Sequence, residues 1–240
     1  MRVSTSLLAA GALLGFATAC ATSNGAVTTT AMNTLTAAQQ ADGWKLLFDG
    51  KTTAGWRNYR KETVSPGWSV VDGILTRSGD NAGDIVTSAK YRNFDLVLDW
   101  RVAEGGNSGV FYRGTEDNDY IWQTAPEMQI LDDERHADGK SPLTSAGSVF
   151  ALYEAPRGAV NPAGQWNTAR VVAEGNHVEH WLNGRKLLEY ERGSADWNER
   201  IAKSKFSTMP WFGRPPEGHI GLQDHGDLVE FRNIRIKVLP

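Results

Sequence analysis

NFDLVLDWRV, residues 93–102, alternates with a strict two-residue period. Phe94, Leu96, Leu98, Trp100 and Val102 fall on one face, and Asp95, Val97, Asp99 and Arg101 on the other. An extended strand with one face in a core has this period; a helix does not.

The surrounding sequence repeats the pattern in shorter pieces. WSVVDGILTR (68–77) sets Asp72-Gly73 between two apolar runs, and HVEHWLNGRKLLEY (177–190) does the same with Asn183-Gly184. Asp-Gly and Asn-Gly accept the positive φ values of a two-residue hairpin turn. NSGVFYR (107–113) and EMQIL (127–131) read as further strands, and residues 219–239 as two more, joined near Asp224 to Asp227. Helical signals are confined to Thr36–Gln40 and Asp196–Lys203. Many short strands with turn punctuation predict an all-β sandwich or jelly roll of two antiparallel sheets. Gly114 to Pro126 and Ser141 to Gln165 are irregular, and loops of that length often carry function.

The chain has 240 residues and a formal net charge of -3, with no long basic run, so nucleic acid is not an expected partner. Nine tryptophans exceed what a core needs and suggest stacking on flat apolar faces, such as those of sugars. The single cysteine, Cys20, excludes an intrachain disulfide.

Residues 1–20 have the form of a secretory signal: Arg2, then an apolar run from Leu7 to Phe16 that is too short to span a bilayer. It ends in Ala17-Thr18-Ala19-Cys20, similar to a bacterial lipobox with Ala17 where leucine is usual. Acylation of Cys20 would make the lipid the chain's only tie to a membrane and place the protein in the cell envelope or periplasm. The alternative is ordinary cleavage after Ala19, leaving a free thiol. Residues 21–41, rich in Ala, Thr, Ser and Asn, read as a flexible tether, and residues 42–240 as the folded domain.

Period-two counting also sorts the polar residues. Asn107, Gly109, Phe111 and Arg113 share a face, as do Glu127, Gln129 and Leu131, and Gly221, Gln223 and His225. Ordinary exposed strands alternate too. Here, though, the polar positions hold directional hydrogen-bonding groups beside glycines that let a ligand approach. Laminarinase-type jelly-roll glycosidases place two carboxylates on one strand as E-x-D-x-E. In Glu127-Met128-Gln129-Ile130-Leu131 the middle position is an amide and the last is leucine. A double displacement is not supported; a lone base is.

The chain from Gly43 onward resembles the 3-keto-disaccharide hydrolase domain family. The resemblance rests, in family order, on GWKLLFDGKTTAGW (43–56), WSVVDGILT, YRNFDLVLDWRV, GNSGVFYR, PEMQILDDE, QWNTARVVAEGNHVEHWLNG and GHIGLQDHGDLVEFRNIRIK. It implies a concanavalin-like jelly roll and a small oxidised glycoside as substrate. The ketone at carbon 3 acidifies the carbon 2 hydrogen. A base removes it, the enolate expels the anomeric substituent, and water adds to the enone. The implied roles are Glu127 or His225 as base and Arg113 on the enolate oxygen. Asn107, Gln129 and Gln223 would position hydroxyls, with Asp99, Asp132 and Trp122 as further substrate contacts. His219 is close enough in sequence to reach the site. No cofactor is implied. A divalent metal polarising the ketone is the alternative, and the spacing of His136 within Asp132–Asp138 is not diagnostic of one. The rival function is a non-catalytic carbohydrate-binding module of the envelope, for which the same sheet face would serve.

Overall fold

The computed structural model describes Met1 and residues 31–240; the lipobox and Cys20 lie outside the described residues. The elements, in order, are α1 (Ala37–Ala41), β1 (Trp44–Leu46), β2 (Trp56–Asn58), β3 (Trp68–Val71), β4 (Ile74–Arg77) and β5 (Ile85–Thr87). There follow β6 (Phe94–Val102), β7 (Asn107–Gly114), β8 (Glu127–Leu131), β9 (Asn167–Glu174) and β10 (His177–Leu182). The chain ends with β11 (Arg185–Glu191), α2 (Ala195–Ala202), β12 (His219–Leu222) and β13 (Val229–Val238).

Two antiparallel sheets form the expected jelly-roll sandwich. The larger runs β11-β10-β9-β6-β13-β4-β3, with β1 also paired to β13; the smaller runs β2-β5-β12-β7-β8. The alternating face of β6 (Phe94, Leu96, Leu98, Trp100, Val102) is buried, together with Ala169, Val171 and Ala173 of β9. Val110 and Tyr112 of β7, Met128 and Ile130 of β8, and Ile220 and Leu222 of β12 belong to the same core. Both hairpins form as expected. Asp72 (φ 50) and Gly73 (φ 79), then Asn183 (φ 50) and Gly184 (φ 79), take the two consecutive positive φ values that suit right-twisted strands.

Residues 31–41, expected as the end of the tether, are mostly exposed, and Asn33 ties them to the sandwich. Asn33 is buried; its side chain donates to Gly73 O at 2.7 Å and accepts from the Asn233 backbone N–H at 2.8 Å. The helix α1 is closed by a capping box between Thr36 and Gln39.

One polar group sits deep in the core. His180 of β10 is fully buried, with Nδ1 3.0 Å from Gly147 O and Nε2 2.9 Å from the Tyr112 hydroxyl. A carbonyl only accepts, so Nδ1 carries the proton and Nε2 accepts from Tyr112, whose oxygen accepts in turn from Tyr190 at 2.7 Å. Burial pushes His180 down to about 4. A buried histidine held neutral stabilises the fold above its unfolded pKa, and this contribution fades as pH falls from about 6.5 toward 4. The stability gap between wild type and His180→Gln, read from urea unfolding, should therefore shrink by about 2 kcal/mol between pH 7 and pH 4.5. A gap that does not change with pH would refute the neutral assignment.

Candidate active site

The smaller sheet has one face in the core and the other turned away from it. On the outward face, Phe111 pairs in register with Glu127, and Gly109 with Gln129. Gln223, just past β12, bonds Gly109 O through its backbone N–H at 3.0 Å. Asn107, Glu127, Gln129 and Gln223 consequently floor one cleft of about 210 Å³, the scale of a single sugar ring. Its walls are Trp122, Asp138, Phe150, Lys205 and His225.

Glu127 opens β8, whose Met128 and Ile130 turn into the core and so force Glu127 and Gln129 outward. The residue is only 8% exposed. Its carboxylate lies over Gly109, where an added β-carbon would overlap it. Burial pushes Glu127 up to about 8; Lys205 opposes the shift, while Asp84 and Asp138 add to it. Asp84, at the entry to β5, is itself raised to about 6 by burial, although it accepts the Asp224 N–H at 2.9 Å. A carboxyl in this state is a strong base when ionised and a ready donor when not.

Three amides complete the floor. Gln129 is 1% exposed, and neither its Oε1 nor its Nε2 has a hydrogen-bond partner in the protein; Asn107 Oδ1 and Gln223 Oε1 are also unpaired. Buried polar atoms are rarely left without partners. Unpaired amides converging on a cleft suit a ligand rich in hydroxyls.

The walls come from irregular segments, pinned by buried side chains or by edge hydrogen bonds. Ile121 packs under the 3₁₀ turn Ile121–Gln123 with Val86, Phe111 and Ala125, holding Trp122 at the cleft. Residues 147–150 bond along the free edge of β8 (Gly147 N to Gln129 O at 2.8 Å, Phe150 N to Glu127 O at 3.0 Å), which covers that edge and delivers Phe150. Phe206 stacks on Phe212 at 3.8 Å and fixes the turn Lys205–Thr208. The Lys205 ammonium then lies 4.3 Å from the Phe150 ring centroid and 5.6 Å from that of Trp122. Partial desolvation lowers its pKa, against the pull of Glu127 and Asp138.

Asn107, Trp122, Glu127, Gln129, Gln223 and His225 of the sequence-derived set therefore meet in one cleft. His225 is half-exposed, its Nδ1 3.8 Å from the Asp227 carboxylate. The turn around it is held by Asp224, which accepts from Arg77 and Gly83, and not by the imidazole.

Arg113, Asp99 and Asp132 do not join the cleft. Arg113 has a positive φ (54), and the β7–β12 register slips beside it, so the two-residue period fails there. Its buried guanidinium donates to Arg92 O at 2.6 Å and Gly175 O at 2.8 Å, away from Glu127. Asp99 lies on the larger sheet, accepting from Thr168 and Asn233, each at 2.7 Å. Asp132 accepts the Gly105 and Glu134 N–H groups and fastens the turn between β6 and β7. His219 donates through Nδ1 to Thr87 O at 2.6 Å and faces Glu116. His136 accepts the Asp138 N–H through Nδ1, with its ring edge-on to His225 at 6.1 Å. Among the described residues, the one His/carboxylate cluster with metal-like spacing is His177, Glu179 and Glu189, outside the cleft. The sequence reading missed Lys205, Asp138 and Phe150, which lie in segments without periodic signal.

Fold and site together define a jelly-roll protein of the glycoside hydrolase type. Residues 43–237 match the family described as the 3-keto-alpha-glucoside-1,2-lyase-like domain. A 3-keto-disaccharide hydrolase of Bacteroides thetaiotaomicron is 36% identical over 239 residues, covering 87% of this chain and 82% of that protein. A crystal structure of a candidate glycosyl hydrolase from Parabacteroides distasonis superposes with a TM-score of 0.81 at 37% identity, over 87% of this chain and 100% of the other. A second from the same organism gives 0.65 at 31% identity, over 82% and 99%. The chain belongs to the 3-keto-alpha-glucoside-1,2-lyase-like domain family.

The close fit of Glu127 over Gly109 yields a direct check. Gly109→Ala should displace the carboxylate and cut turnover by about 100-fold, the scale of a lost general base, while the circular dichroism spectrum stays that of the wild type. Unimpaired turnover would show that the close fit has no bearing on catalysis.

Proposed function

We propose that the protein cleaves 3-keto-glycosides by elimination across carbons 1 and 2, followed by hydration. The observation that carries this reading is Glu127: one desolvated carboxyl raised to about 8, with Lys205 across the cleft and no carboxylate at position 131. Glu127 takes the proton from carbon 2, acidified by the neighbouring ketone. The electron pair moves into the enolate, whose oxygen the Lys205 ammonium stabilises in place of the arginine first expected. Collapse of the enolate forms the carbon 1–carbon 2 double bond and breaks the bond from carbon 1 to the aglycone oxygen. His225, at the cleft mouth, protonates that oxygen. Water then adds its hydroxyl to carbon 1 and a proton to carbon 2, giving the free 3-keto-sugar. Asn107, Gln129 and Gln223 hold the ring hydroxyls, and Trp122 offers an apolar face for stacking.

The relative named for 3-keto-disaccharides supports this substrate class. Release of aglycone from 3-keto-sucrose or 3-keto-trehalose, with the unoxidised sugars inert, is the expected result. In heavy water the product should carry deuterium at carbon 2. Cleavage of the unoxidised sugars at equal rates, or a product free of deuterium, would point to ordinary glycosidase chemistry instead.

The catalytic base sets the pH profile. Plotted against pH, kcat/KM should rise through an apparent pKa near 8 as Glu127 ionises, then decline at higher pH as Lys205 loses its proton. Glu127→Gln should lower kcat by about 100-fold or more and abolish the rising limb, while still binding the keto-sugar. Persistence of that limb in the variant would move the base elsewhere, and binding without turnover by the wild type would mark a binding module.

We also infer export to the bacterial cell envelope with a lipid on Cys20. Cys20→Ala should shift the protein from the membrane to the soluble fraction and end its labelling by radioactive fatty acid. Unchanged fractionation would argue for plain cleavage.

A further inference from the structure

The turn that carries Lys205 is shared with a second, larger cleft. Ser207 lines it, together with α2 and residues 209–214, and its volume is about 650 Å³. Arg192, which directly follows β11, lines this cleft and is 7% exposed. Its Nη1 donates to Gly213 O at 3.2 Å and Pro215 O at 2.8 Å, while its buried Nε has no partner in the protein. Arg214 stands exposed at the same cleft, and no carboxylate lines it.

A second buried cation sharpens the imbalance. Arg113 is 1% exposed and repels Arg192, so two guanidinium groups are buried near one another with carbonyl and amide oxygens as their only partners. Among the described residues, neither they nor Arg214 form an ion pair with an acid, in a chain of net charge -3. A buried charge without a counter-charge is costly, and a guanidinium fork matches a carboxylate in shape. The rest of the lining selects more than charge. Ile201, Met209 and Pro210, packed over the buried Trp197 and Phe212, offer an apolar wall, and the amides of Asn176 and Asn198 sit at the rim. That combination suits a ring with one apolar face, several hydroxyls and one acid group.

We propose that this cleft is a second, non-catalytic binding site for a carboxylated sugar, a uronic acid, held through its carboxylate by Arg192 and Arg214. The site is separate from the catalytic cleft and does not depend on the reaction assigned there.

The test is calorimetric titration of the full domain with free glucuronate, glucose and inorganic phosphate at one ionic strength. Glucuronate should bind saturably at a single site, at least tenfold more tightly than phosphate, and glucose should give no heat. Arg214→Glu should weaken glucuronate at least tenfold without changing catalytic turnover, and Lys205→Met should leave it unchanged. Arg192→Lys, which keeps charge but loses the fork, should weaken it several-fold. Absence of glucuronate binding, or equal affinity for phosphate, overturns the proposal. So does binding that survives Arg214→Glu but fails in Lys205→Met, which would place the ligand in the catalytic cleft.

Discussion

A carboxyl group buried on the outward face of a β-sheet is the interaction on which the site depends. Moving Glu127 from 4.5 to about 8 corresponds to a free-energy penalty on the order of 5 kcal/mol for the ionised form. The nearby cation, Lys205, opposes that penalty without cancelling it. The charge-free way to hold such a group is to surround it with backbone and apolar walls, and Gly109 permits that by leaving the space its side chain would fill. The core then has to carry the cost. It does so with large side chains packed between the sheets, Trp100, Phe94, Leu96 and Phe231 among them, all nearly or fully buried.

The two sheets divide the work. The larger one is the continuous half: β6 pairs with β9 on one side and β13 on the other over nearly its whole length. The smaller one places its strands so that the polar floor is assembled from three of them, β7, β8 and the end of β12. Its outward face would otherwise be solvent-exposed, and the irregular segments 114–126, 141–165 and 203–218 close over it. Each is short of its own secondary structure and is anchored by a few buried side chains, Ile121, Val149 and Phe206 among them, or by edge hydrogen bonds. The walls can thus vary while the floor stays fixed by the sheet register.

Much of this was legible in the chain, and the misses share a cause. Alternation identified most of the strands, the two hairpins and five of the residues that line the cleft, because a half-buried strand must keep its period. It misled at Arg113, where one left-handed residue reverses the face; Asp132, which the period sets opposite Glu127, lies just past the end of β8 and serves the turn. Asp99 fails for another reason: the period sorts residues within a strand and says nothing about which sheet the strand joins. Lys205, Asp138 and Phe150 carry no periodic mark, since their placement depends on long-range contacts such as Phe206 on Phe212. A lysine next to a buried aromatic in a short turn is the one local signal available, and it is common on surfaces that bind nothing.

The amide at position 129 makes the chemistry coherent. A carboxylate there, beside Glu127 on the same strand face, would raise Glu127 further and leave two like charges competing for one proton. A displacement reaction needs a further carboxylate at position 131, so that one carboxyl attacks and the other donates. With Gln129 and Leu131 in those places, Glu127 shares its strand face with no second carboxylate. A single strong base, a cation opposite and neutral hydrogen-bonding groups around them are the requirements for removing a proton from carbon next to a ketone. The residues that stand against a double displacement, Gln129 and Leu131, are the ones that suit the proposed elimination.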